Sequence, residues 1–293
     1  MRPGFTALIF ISGIIILHVI IFLTYTIVMR LIFGKPKNNP KQFLRRNKNK
    51  LLHDEQKKRI VFVGDSITHG ILSVNYIKMI AKELGKSKFY YINAGINSHL
   101  AYNVLMRIDE IVACNPAYIT IMIGTNDAHR EMKLYKETRS SKRINLPREP
   151  TKEWYKENLL KIITILQKKT NAKLAICSIP PIGENMNHPI FKQSIEYSKL
   201  IKEIAEKRDL VYLPVNEKQI AFLKANPSKP KHEPEHMLYE TTAAKYFLLG
   251  HSFDKMSKHY GFNLLVDHLH LNSRGAKIVA DLIVGFILSQ DSS

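Results

Sequence analysis

Ile60-Val-Phe-Val63-Gly64-Asp65-Ser66 packs four apolar, mostly β-branched residues into a run too short for a helix and breaks it at a glycine. A run of that length, bounded by a turn residue, reads as a buried strand with polar groups waiting at its carboxyl end. Residues 71–84 follow with helical spacing in Ile71, Ile77, Ile80 and Leu84. The same alternation then repeats along the chain. Strands are expected at 89–92, 118–123, 174–179 and 210–213, and helices at about 99–112, 152–169, 190–208 and 273–289. Near-continuous apolar strands separated by helices predict a parallel sheet covered on both faces.

In such a sheet, reactive groups gather beyond the carboxyl ends of the strands. Here those ends carry Gly64-Asp65-Ser66, Asn93-Ala94-Gly95 and Gly124-Thr125-Asn126-Asp127, and Asp267-His268-Leu269-His270 precedes the last helix. A serine hydroxyl becomes a useful nucleophile only when an imidazole takes its proton and a carboxylate orients that imidazole. The oxyanion that forms needs preorganised donors, which backbone N–H groups and an asparagine amide supply.

These four blocks, in this order, resemble the SGNH/GDSL hydrolase family over residues 60–290. The resemblance implies Ser66 as nucleophile, His270 as its base and Asp267 as the group orienting His270. It implies an oxyanion hole from the N–H groups of Ser66 and Gly95 and the side chain of Asn126. The fold it implies is a three-layer α/β/α sandwich around a five-stranded parallel sheet, flavodoxin-like, needing no metal or organic cofactor. The activity it implies is cleavage of a carboxylic ester or thioester through an acyl-enzyme on Ser66. Acyl transfer at the same site and a non-catalytic membrane-tethered binding module are the alternatives. Substrates are expected among ester-containing small molecules, lipids and acylated glycans. His268 competes with His270 on paper; the spacing from Asp267 and the family block both favour His270, leaving His268 to a surface turn. Cys114 and Cys177 lack a nearby catalytic partner and read as buried thiols.

The amino-terminal part has a different character. Phe5 to Met29 is 25 residues without a charge, 19 of them apolar or aromatic. As a helix it reaches about 37 Å, enough for a hydrocarbon core of about 30 Å. A cleaved signal peptide fits less well, because the apolar run exceeds the usual length of about 7–15 residues and no small-x-small site precedes Arg30. His18, mid-span with no second span to pair with, reads as a tolerated neutral histidine.

The chain carries a formal net charge of +19, with 44 Lys+Arg against 25 Asp+Glu. Residues 30–59 hold 11 of those basic residues and two of the acids. This basic stretch, rich in Pro, Asn and Lys, is expected to be a linker attracted to anionic headgroups. From Lys35 onward Phe43 is its one Phe, Trp or Tyr residue, so a base-stacking platform and a nucleic-acid partner are set aside. The expected organisation is a transmembrane anchor at 1–30, a basic linker at 31–58 and a hydrolase domain at 59–293. The Lys/Arg asymmetry places that domain on the cytoplasmic face, with the extracytoplasmic face as the alternative.

Two cysteines exclude a disulfide scaffold or a zinc ribbon. Two segments interrupt the α/β alternation, a charged loop at 128–150 and a Pro- and His-containing loop at 226–240. His232, His236, Glu233 and Glu235 in the second suggest a metal site, but the dense prolines favour a solvated loop, and no metal is expected.

Overall fold

The computed structural model describes residues 3–47, 57–133, 146–235 and 238–291, and side chains from residue 13 onward. Two units are distinct, residues 1–34 and 35–293.

The first unit is one helix, α1 (Pro3–Phe33). Within its segment Gly13–Phe33 the most apolar 18 residues have a mean hydropathy of 2.3, and none of those is buried within the protein. Length and composition suit a membrane span or a signal sequence. Its polar side chains are satisfied by the helix itself. His18 Nδ1 donates to the Ile14 carbonyl at 2.8 Å, and the Thr24 and Thr26 hydroxyls donate to Ile20 and Phe22 in the same i−4 pattern.

The second unit is built on a parallel sheet of β1 (Lys58–Gly64), β2 (Phe89–Gly95), β3 (Tyr118–Met122), β4 (Lys173–Cys177) and β5 (Val211–Leu213). The order is β2-β1-β3-β4-β5, so the winding direction reverses between β1 and β3, at the strand that ends in Gly64. Alternate residues feed two cores. Val61, Val63, Ile119 and Ile121 pack against α5 (Ala101–Leu105), α6 (Ile108–Val112), α8 (Lys152–Lys169) and α9 (Pro189–Lys207). Ile60, Phe62 and Met122 pack against α4 (Tyr76–Leu84), α12 (Phe253–Tyr260) and α13 (Ser273–Asp291). A sheet apolar on both faces is why the strands read as unbroken hydrophobic runs.

The region expected as a linker contains ordered structure. Asn39 and Pro40 start α2 (Pro40–Asn47), whose Phe43 is only 6% exposed and meets Tyr90 edge-on at 5.4 Å. Ahead of it, Asn38 pairs with the free side of the edge strand β2. The Asn93 N–H donates to the Asn38 carbonyl at 3.1 Å and Asn38 Nδ2 donates to the Tyr91 carbonyl at 2.6 Å. An edge strand left open is a template for intermolecular pairing, and this segment closes it.

The helix expected over 99–112 is two short helices, α5 and α6, parted at Met106 and Arg107. Arg107 turns inward at the break and is 9% exposed. Within the loop expected over 128–150, α7 (Thr125–Glu131) extends three residues past Ala128, and residues 134–145 lie outside the described residues. The remaining helices are α3 (Ser66–His69), α10 (Val215–Ala225) and α11 (Tyr239–Leu249), the last beginning inside the loop expected over 226–240.

Candidate active site

At the end of β1 the chain turns sharply into the single helical turn α3. Asp65 caps it, its Oδ1 accepting the Ile67 N–H at 3.0 Å. This turn holds Ser66 half-buried, and the Ser66 N–H has no acceptor among the described residues. Thr68 and His69 are 0% and 7% exposed, so neither belongs to a solvated loop. His69 Nδ1 bonds Asn97 Oδ1 at 2.8 Å.

The Asp267–His270 segment is the tip of a tight hairpin closed by the bridge between Leu265 and Leu271. Asp267 Oδ1 accepts the backbone N–H groups of His270 at 2.9 Å and Leu269 at 3.3 Å. That turn brings the His270 ring back onto Asp267, with Nδ1 at 2.8 Å from Oδ2 and 3.0 Å from Oδ1. His270 Nε2 then lies 3.0 Å from Ser66 Oγ. Burial opposes a proton on His270, but the charge and hydrogen bond of Asp267, helped by the Asp65 charge, outweigh it and raise its pKa above the ordinary histidine value. Asp267 and His270 are 3% and 4% exposed. The arrangement is a continuous hydrogen-bonded chain from carboxylate to hydroxyl.

Asn126 stands near the start of α7, after Gly124 at φ 131°. Its Nδ2 donates to the His99 carbonyl at 3.0 Å, leaving the second amide hydrogen for a ligand. Beside it Asp127 is buried, and its carboxylate accepts the Ala101 N–H at 3.2 and 3.3 Å. Burial pushes Asp127 up to about 7 and Asp65 up to about 6.

Gly95 ends β2 beside the α3 turn. Its N–H donates to Asn93 Oδ1 at 2.9 Å, so it is already engaged. A Cβ there would sit 2.3 Å from the His69 nitrogen, so the glycine is what lets β2 touch the α3 turn. Asn93 clamps the same contact, its Nδ2 donating to the carbonyls of Thr68 and His69. Ser98 is a further backbone donor in this region. It adopts φ 64°, and its N–H has no acceptor among the described residues. It lies between Asn97, bonded to His69, and His99, bonded to Asn126.

His268 is also not at the surface. It is 2% exposed, adopts φ 73° and packs edge-on to Phe262 at 4.7 Å. Cys114 and Cys177 are buried, and burial raises both thiols to about 12.

Two supporting residues carried no motif. Glu184 accepts the N–H groups of Asn263, Leu264 and Leu265 at 2.7–2.8 Å, bracing the hairpin that carries Asp267 and His270. Arg107 Nη2 donates to the Gly64 carbonyl at 3.3 Å and Nε to His99 Nδ1 at 3.4 Å. One side chain thus links the Ser66 strand end to the residue that holds Asn126.

A doubly wound sheet with a serine, histidine and aspartate joined at its carboxyl edge defines a serine hydrolase. The profile of the GDSL-like Lipase/Acylhydrolase family matches residues 62–278. The chain belongs to that family and is a serine esterase acting on ester bonds. It is 25% identical over 176 residues to an acetylxylan esterase of Geobacillus stearothermophilus, covering 53% of this chain and 74% of the relative. The acetyl xylan esterase AlAXEase is similar in structure, with a TM-score of 0.57 at 19% identity over 78% of this chain and 99% of its own. LAE5, an α/β hydrolase from the Lake Arreo metagenome, gives a TM-score of 0.54 at 16% identity, covering 78% of this chain and 94% of its own.

Proposed function

We propose that this chain is a membrane-anchored esterase that removes an acetyl group from a carbohydrate hydroxyl through an acyl-enzyme on Ser66. The observation that carries the reading is the Ser66 Oγ to His270 Nε2 distance of 3.0 Å, with His270 Nδ1 held 2.8 Å from Asp267. In that geometry Asp267 accepts a hydrogen bond from Nδ1–H, the proton staying on the ring, and Nε2 presents its lone pair to the serine hydroxyl. Ser66 Oγ attacks the ester carbonyl carbon as its proton passes to Nε2. The oxyanion is received by the Ser66 N–H, the Asn126 amide and the Ser98 N–H. Collapse breaks the bond to the alcohol, which leaves with the proton from His270. Water, deprotonated by His270, then releases the acid from Ser66.

The carbohydrate ester is supported by the acetylxylan esterases that the chain resembles in sequence and fold. Anchoring is supported by the length and apolarity of Gly13–Phe33. The test is hydrolysis of p-nitrophenyl acetate and acetylated xylo-oligosaccharides by the wild type and Ser66→Ala. The substitution is expected to lower kcat by at least about 10³ with the fold intact. A variant that keeps half the wild-type rate contradicts the assignment.

A further inference from the structure

The outer side of the 264–272 hairpin borders a second feature, made with the loops 182–188 and 227–235. Asn185, His232, Glu233 and His268 line a cavity there of about 400 Å³. Within the same loops His188 Nε2 lies 2.9 Å from Glu235 Oε1, and Asn185 Nδ2 lies 3.5 Å from Glu233 Oε2. One donor atom from each of His188, Glu233 and Glu235 falls within 4.8 Å of the others. Tetrahedral ligands at about 2.0–2.1 Å from a zinc ion stand somewhat closer together than that. A rotamer adjustment of the two glutamates closes the gap, since both are exposed.

His268 supplies the independent observation. Its ring is buried, yet neither Nδ1 nor Nε2 has a hydrogen-bond partner among the described residues. Buried polar atoms without partners are rare in native proteins and call for an explanation. The ring lines the same cavity as Glu233 and Pro234: a Cβ on Gly183 would lie 3.7 Å from His268 Nδ1 and 3.2 Å from Pro234 Cγ, and Pro234 sits between the two glutamates. Burial holds His268 down to about 4, so at neutral pH it offers a lone pair and a proton rather than a charge. A plain ion pair of His188 with Glu235 would account for neither Glu233 nor His268.

We propose that His188, Glu233 and Glu235 form a binding site for a divalent transition-metal ion, zinc by its donor chemistry, with His268 hydrogen-bonded to a water on the ion's fourth position. One imidazole and two carboxylates match zinc better than calcium or magnesium, which favour oxygen alone. Without the ion, His188 Nδ1 accepts the Ile190 N–H at 3.2 Å, so its proton sits on Nε2 and is donated to Glu235. Binding at Nε2 moves that proton to Nδ1 and releases the Ile190 N–H, a first-turn donor that water can satisfy. The site is structural. It ties the 227–235 loop to the 182–188 loop, whose Gly183 N–H holds the His268 carbonyl at 2.7 Å.

The test uses the full chain in detergent, free of any polyhistidine tag, stripped with chelator and dialysed against zinc chloride. One zinc per chain is expected by elemental analysis, with a higher Tm than the stripped protein. Affinity should fall by at least about tenfold in Glu233→Gln and in Glu235→Gln. Cobalt substitution should give visible d–d bands that weaken in both variants and change in His268→Phe. Zinc no higher than in a chelated blank overturns the proposal. So does one zinc retained with unchanged affinity in the Glu233→Gln/Glu235→Gln double variant.

Discussion

Asp267 acts through the proton affinity of His270. Burial alone would lower that affinity, and the adjacent carboxylate reverses it, so the imidazole titrates above its ordinary value. A base must be neutral to accept the serine proton, so kcat/KM is expected to rise with pH through that elevated pKa. Stability runs the opposite way. The raised pKa makes the His270–Asp267 pair contribute fully below the unfolded histidine value, and the contribution is lost as pH climbs through the folded one. Asp267→Asn removes the charge. We expect kcat to drop by about 10³–10⁴ and the acid limb of the pH profile to move to lower pH. An acid limb that stays in place would show that another group sets it. The role proposed for Asn126 acts on a different quantity, because an oxyanion donor is needed where charge develops. Asn126→Ala should reduce kcat by about 10²–10³ with a much smaller change in KM. A tenfold rise in KM at unchanged kcat would make Asn126 a substrate-binding residue instead. The placement of Ser66, Asp267, His270 and Asn126 was legible because each follows a strand end or precedes the last helix. Ser98, Arg107 and Glu184 were not, because their roles come from long-range contacts that no local spacing encodes.

At the scale of elements, the strands were the most legible part, since burial on both faces leaves runs such as Ile60-Val-Phe-Val63 with no polar interruption. The helix over 152–169 matched for the related reason that Thr151 caps it and its apolar residues recur at helical spacing. What failed was the amphipathic minority. In α2 one aromatic, Phe43, anchors an otherwise basic segment, so composition suggested linker while packing makes it part of the domain. The break at Met106–Arg107 was hidden because apolar spacing continues across it while Arg107 turns toward Gly64. A boundary prediction follows. A fragment starting at Lys35 should be soluble and cooperative, whereas one starting at Lys57 exposes the edge of β2 and loses Phe43. Phe43→Ala in the longer fragment is expected to cost about 3 kcal/mol, read from urea melts. Equal stability of the two fragments would show that α2 contributes nothing.

For the whole molecule, the proposed anchoring by α1 carries an orientation for the esterase unit. The basic residues after α1 favour the cytoplasmic side. Reporter fusions after residue 55 check this: fluorescent-protein signal with silent alkaline phosphatase is expected, and the converse pattern reverses the orientation. The central claim, that Ser66 carries the acyl group, has a more direct test. The purified full chain is treated with a fluorophosphonate probe, digested and mapped by mass spectrometry. We predict a single adduct on the peptide containing Ser66, absent from Ser66→Ala and strongly slowed in His270→Ala. An unlabelled folded protein, or an adduct on another residue that persists in Ser66→Ala, would contradict it.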